Sequence, residues 1–384
     1  MKQKLTNILI LIFFLHGGLY LIFPELMYVG SWIKYVKYYT LFGVIVLNFN
    51  SIKISGIILY GIILSVFFVL LTISYSGSTT ISELIIRILP YAAPASIFLL
   101  SDTLKKYDWD KLIKIVTYLS IILCFLDFFF FKPLIKDSVS VFSSWRIAGF
   151  YRTVSIYFNP NAAGIMFFLN FYYYLTKMAK HNDLSIKNIM ICILLIACMI
   201  LTGSKTPLIL IPLSLVSLIV LKNFKVSRRS FALINKFLIS LLVIMFLALL
   251  ALPFINTDIF TTREIKIETL ILRFEQLFSF SDLLSQNFLF PNNNRAINEM
   301  LSDNAYLQLW LDFGFIGFIL FFACFLIPLI LKRKICVYEF NAIFLILVAG
   351  FAMTVFYILS AYIFWYLIFK KPLVNMNNNQ NKNT

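Results

Sequence analysis

From Ile54 the chain runs ISGIILYGIILSVFFVLLTI, twenty residues without a single charge. A helix rising about 1.5 Å per residue over that length matches a hydrocarbon core of about 30 Å. A second run of this kind, NKFLISLLVIMFLALLALPF, starts at Asn235. Hydrophobic residues fill 61% of the 384 positions, and 42 residues are Phe, which is well beyond the roughly half-apolar composition of soluble domains. The expectation is an all-α polytopic membrane protein. Its first apolar run, LTNILILIFFLHGGLYLIF, follows Lys2 and Lys4 as a signal peptide would. No small-residue cleavage site follows, so it reads as the first helix.

Apolar spans are expected at 5–23, 33–47, 54–73, 84–100, 112–131, 160–176, 188–203, 206–221, 236–255 and 305–331. The apolar stretch 335–369 is then read as two helices, because Lys370 and Lys371 favour a return to the inner side. That makes about 12 transmembrane helices with both termini cytoplasmic. Residues 1–371 form one integral-membrane domain, and 372–384, with its tract NMNNNQNKNT, is a disordered cytoplasmic tail.

The net charge of +16 invites a nucleic-acid reading, but the placement of the charges opposes it. Of the 33 basic residues, 21 fall on inner segments and inner helix ends and 12 on outer ones, which is the positive-inside pattern. The cysteines Cys124, Cys192, Cys198, Cys324 and Cys336 lie in spans or at an inner edge, so no disulfide framework is expected. Two outer segments, 132–159 and 256–304, are long enough to expect a function there. The second contains TTREIKIETLILRFEQLFSF, whose apolar spacing fits an amphipathic helix before the tenth span.

The chain is poor in metal and proton-relay chemistry. Its two histidines, His16 and His181, fall in the first span and in an inner loop. There is no HExxH and no Walker-type loop. Acidic residues within spans are few, mainly Asp127 and Asp312, fewer than a proton-relay transporter would need. Neither a metal nor a cofactor is expected.

Cations on the outer side offer a different chemistry. In SSWRIAGFYRTVSIYFNPNAAG, Arg146 and Arg152 precede a helix start at Asn159, Pro160 and Asn161. Asn is a good N-cap and Pro fits the first helical turn, where its missing N–H costs nothing. Arginines beside a helix N-terminus suit a phosphate, although interface anchoring uses the same residues. LTGSKTPL sets Lys205 in a short outer turn, where snorkelling to the interface is the simpler account. Arg263 and Arg273 lie on the amphipathic segment, Arg273 beside Glu275, and Arg295 follows it. Asp303, with Ser302 and Asn304, precedes the tenth span and is equally an N-cap or a reactive carboxylate.

Taken in order, RIAGFYRTVSIYFNPNAAG, LTGSKTPLILIPL, a long outer loop holding LRFEQL, and SDNAYLQLWLDFGFIGF resemble the bacterial O-antigen polymerase (Wzy-type) and O-antigen ligase superfamily. The resemblance spans residues 140–331. It implies a metal-independent glycosyltransferase at the outer face of the bacterial plasma membrane that uses polyprenyl-diphosphate-linked oligosaccharide as donor and acceptor, with a chain-length regulator protein as a further partner. It implies that Arg146, Arg152 and Arg273 hold the diphosphate leaving group. Lys205 stands where the family commonly has Arg, which keeps the charge but not the bidentate geometry. Asp303 occupies the position where ligases typically carry His and polymerases often carry Asp, so polymerase is favoured over ligase. The catalytic set is therefore Arg146, Arg152, Arg273 and Asp303. The substrate-binding set is Asn159, Asn161 and Lys205, together with Arg263, Arg295, Asn304 and Tyr306. A ligase with a lipid acceptor and a lipid-linked glycan flippase are the alternatives.

Overall fold

The computed structural model describes residues 2–15, 35–75, 81–105, 107–131, 146–147, 150–153, 155, 157, 160–181, 185–223, 289–291, 305–331 and 337–350. They are almost entirely helical. The helices are α1 (Lys2–Leu15), α2 (Val36–Leu47), α3 (Ile54–Ser74), α4 (Ile81–Ala95), α5 (Ile97–Lys105), α6 (Trp109–Leu126), α7 (Pro160–His181), α8 (Ile186–Leu201), α9 (Lys205–Asn223), α10 (Ala305–Leu331) and α11 (Val337–Gly350). Among the described residues, Ile54–Ser74 and Trp109–Phe130 are long and apolar enough to cross a membrane, and several shorter helices are apolar too.

Helix α3 is apolar on both sides. Ile63, Phe67, Leu70 and Leu71 are buried against neighbouring helices, while Ile54, Ile58, Ile62 and Val69 on the other side are exposed. Both faces are apolar, so no polar face is available to meet water. Packing joins α1 to α2, α3 to α4 and α10, α7 to α8 and α9, and α9 to α11.

Three expected spans differ in detail. The span expected at 84–100 is broken at Ser96 between α4 and α5. Pro94 lacks the N–H that would continue the ladder, and the Ser96 hydroxyl donates to the Ala93 carbonyl at 2.5 Å. The span expected at 112–131 begins earlier, at Trp109, because the Asp108 carboxylate accepts the Lys111 N–H at 3.0 Å as an N-cap. The expected span 305–331 is interrupted at Gly314, which has φ 64° and ψ −173°. There the segment 289–291 crosses the helix, and the Ile316 N–H donates to the Leu289 carbonyl at 3.4 Å. Only glycine enters that backbone region readily.

The segment 132–159, expected as an outer connection, contains a small antiparallel hairpin. Its strands are β1 (Arg146–Ile147) and β2 (Phe150–Tyr151), with Arg146 opposite Tyr151. The expected span 236–255, the amphipathic segment in 256–304 and the chain beyond Gly350 lie outside the described residues.

Candidate functional site

Directly after the hairpin, Arg152 reaches across to two other elements. Its Nε donates to the Thr202 carbonyl at 2.7 Å, and its Nη2 donates to Asn161 Oδ1 at 2.7 Å. Thr202 caps the end of α8, and Asn161 is in the first turn of α7. A guanidinium projects several N–H groups in a fixed plane, so it can join two acceptors on separate helices where an ammonium ion could not hold both angles.

The residues after Arg152 are fastened as well. The Thr153 N–H donates to the Leu201 carbonyl at 3.1 Å, and the Thr153 hydroxyl sits 3.3 Å from the Cys124 thiol. Ser155 has φ 50°, an uncommon backbone for a residue with a side chain. Its hydroxyl donates to the Ser120 carbonyl at 2.7 Å and its N–H to the Asp127 carboxylate at 3.4 Å, which holds that conformation. Asp127 therefore ties this strap to the end of α6. Tyr157 is buried, and burial pushes its phenol well above the usual tyrosine range.

The helix starts beside Arg152 lie very close together. A Cβ added to Gly164 on α7 would stand 2.8 Å from Pro207 Cγ and 3.0 Å from Ser204 Cβ. The close approach brings the first turns of α7 and α9 side by side, with Pro160 opening one and Lys205 the other. Each N-terminus carries roughly half a positive charge. With the guanidinium between them, the corner is electropositive and rich in N–H donors, which is chemistry suited to a phosphate-like anion.

The expected site residues divide accordingly. Arg152 and Asn161 are brought into contact, and Lys205 begins the neighbouring helix. Arg146 is in β1, paired with Tyr151 one residue before Arg152. Tyr306 is elsewhere: its hydroxyl donates to the Leu347 carbonyl on α11, and its ring stacks on Phe322 with centroids 5.8 Å apart. Arg273, Asp303, Asn159, Arg263, Arg295 and Asn304 lie outside the described residues.

Sequence reasoning passed over Thr202 and Asp127 as partners of this corner. It also passed over a second polar cluster. There the Tyr91 hydroxyl on α4 donates to Asp312 Oδ2 on α10 at 2.6 Å, and the Gln308 amide donates to the same oxygen at 3.4 Å. Arg87, one turn before Tyr91, donates to the Tyr75 hydroxyl at 3.1 Å and lies 4.5 Å from the centre of that ring. The available signal was Asp312 itself, an acid in an apolar span.

No protein-family model matches the chain, and neither a curated protein nor a solved structure is similar to it.

Proposed function

We propose that the chain is an integral membrane glycosyltransferase of the O-antigen polymerase type. It joins lipid-diphosphate-linked repeat units into a surface polysaccharide at the outer face of the plasma membrane. The observation that carries this reading is the corner at Arg152, where two helix N-termini and a guanidinium meet at the 146–164 and 202–207 segments. Those are two of the segments in which the sequence resembles that superfamily. Apolar helices exposing Ile and Val on their outer sides support a lipid surrounding.

In this reading the acceptor sugar's hydroxyl oxygen attacks the anomeric carbon of the donor. The bond from that carbon to the diphosphate oxygen breaks, and the hydroxyl proton leaves to a base, for which Asp303 is the candidate. The departing diphosphate gathers negative charge, which convergent N–H donors and cations stabilise most in the transition state. Arg146, Arg152 and Arg273 are the proposed cations, with the helix starts at Pro160 and Lys205 adding fixed dipoles. No metal is required if enough positive charge converges.

The test is the glycan carried by a deletion strain. A polymerase defect leaves single repeat units on the surface lipid. Repeats wholly absent from the surface lipid but present outside on the carrier would assign a ligase, and repeats trapped inside would assign a flippase. Complementation with Asp303→Asn at normal membrane abundance separates the proposed base from a cap, since Asn caps about as well as Asp.

A further inference from the structure

The segment 289–291 meets α10 within the apolar length of its neighbour α3, and α3 sets the depth of the contact. That helix has 21 residues, so at about 1.5 Å each it is as long as a hydrocarbon core is thick. Ser74 ends it, and the Ser74 hydroxyl donates to the Leu311 carbonyl of α10 at 3.5 Å. One turn further into α3, Leu70 Cδ1 lies 3.0 Å from where a Cβ on Gly317 would stand. Ile316, next to Gly317, donates its N–H to the Leu289 carbonyl at 3.4 Å. Leu289 is therefore level with Leu70, one helical turn or about 6 Å inside the end of α3.

The first leg of α10 does not carry this contact out beyond the end of α3. Tyr306 stacks on Phe322 with centroids 5.8 Å apart, and Trp310 packs against Phe318 at 5.7 Å. On a straight helix, positions 306 and 322 would be about 24 Å apart. The helix therefore doubles back at Gly314, and its first leg lies beside its second. The segment 289–291 crosses at that bend, where a Cβ on Gly314 would meet the Leu289 carbonyl oxygen at 2.5 Å and Phe290 Cα at 2.8 Å.

Irregular backbone at such a depth needs its polar groups answered by protein. The bend takes the Ile316 N–H out of the helical ladder, and the Leu289 carbonyl accepts it. Pro291 has no N–H to satisfy. The side chains point to a different partner. Pro291 is buried, whereas Leu289 and Phe290 are each 51% exposed. Val69 and Ile73 on α3 and Ile316 and Ile319 on α10, all within a turn of the same level, are exposed as well. An apolar surface at that depth is matched by acyl chains and not by water.

We infer that Leu289 and Phe290 are a membrane-insertion point of the long segment 256–304, their side chains entering the leaflet at the Ser74 end of α3 and packing on its acyl chains. The inference rests on the membrane-spanning reading of the chain and not on the glycosyltransferase reading. In the orientation proposed above this is the outer leaflet, and the insertion point is continuous in sequence with Arg273 and Asp303.

The experiment places a nitroxide on the full-length protein in lipid nanodiscs through Leu289→Cys. The unsubstituted protein is the blank, since the native cysteines among the described residues are buried. Collision with oxygen, which concentrates among acyl chains, is compared with collision with a water-soluble nickel chelate. Val69→Cys, exposed on α3 at the same level, marks lipid, and Lys53→Cys, beyond the other end of α3, marks water. At 289 nickel collision should be several-fold below that at 53, and oxygen collision should match that at 69. Nickel access equal to that at 53 overturns the insertion in favour of a water-facing segment. Exclusion of both reagents overturns it in favour of a covering stretch of protein. Nickel access at 69 overturns the membrane-spanning reading itself, and the insertion falls with it. If Leu289→Cys is not monodisperse, Phe290→Trp decides the matter. Its fluorescence in excess of wild type should be quenched by lipids brominated near the top of the acyl chain, and an unquenched excess overturns the insertion.

Discussion

The two arginine clusters use the same side chain in opposite ways. Arg152 donates to the Thr202 main-chain carbonyl at a helix end and to Asn161 in another helix's first turn. Those acceptors are fixed by backbone that is itself fixed, so Arg152 joins three elements. Arg87 rests on the ring and hydroxyl of Tyr75. The first arrangement ties three elements together through one guanidinium; the second leans on a single side chain. Guanidinium groups that look alike in sequence therefore differ in what their loss should cost.

The largest effect is expected from the framework beside the second cluster. Gly314→Ala would put a Cβ 2.5 Å from the Leu289 carbonyl oxygen at φ +64°. The backbone strain and the clash together should cost about 3 kcal/mol or more. Membrane abundance and the thermal aggregation midpoint of the purified protein would read it, and wild-type values would mean that the helix tolerates closure of the break.

Arg152→Ala should come next. It removes the donor shared by the Thr202 carbonyl and Asn161, at about 2–3 kcal/mol in unfolding from mixed micelles. Arg152→Lys should recover only part of this, because one ammonium group cannot reproduce the planar fork. Arg87→Gln should cost less than about 1 kcal/mol in the same measurement. Should Arg87→Gln destabilise more than Arg152→Ala, the ranking of the two clusters is inverted.

A smaller loss is expected for Tyr91→Phe. It removes the 2.6 Å hydrogen bond to Asp312 but leaves Gln308 in place. A cost of about 1–2 kcal/mol follows from weakening a buried acid's hydrogen bonding. The same unfolding assay checks it, and a neutral result would show that the cluster is already saturated by other donors.

The smallest effect belongs to Tyr157→Phe. Its ring packs edge-on against Phe167 at 6.0 Å, while its buried hydroxyl has no hydrogen-bond partner among the described residues. Removing an unsatisfied hydroxyl should change stability by less than about 0.5 kcal/mol, or raise it slightly. A loss above about 1 kcal/mol would show that the hydroxyl is satisfied, and would add Tyr157 to the groups that hold the Arg152 strap.

The sequence by itself determined the helical character and much of the local detail. Uncharged runs such as 54–73 leave the backbone no partner but itself in an apolar setting, so their helices follow from composition. The start of α7 at Pro160 was also legible, because N-terminal turn preferences depend on only a few adjacent residues, whereas Lys205, expected in the turn, opens α9. Arg152 and Asn161 drew notice as neighbours nine positions apart, and they do bond. Tertiary structure decided the partners. Thr202 is 50 residues from Arg152, and Asp312 is 221 residues from Tyr91, so neither pairing has a local signature. Each depends on the rotation and register with which helices pack, set by contacts such as that between Gly164 and Pro207. The break at Gly314 has the same origin. The glycine permits it, but the crossing segment at Leu289 and Phe290 is what makes an unbroken helix impossible there.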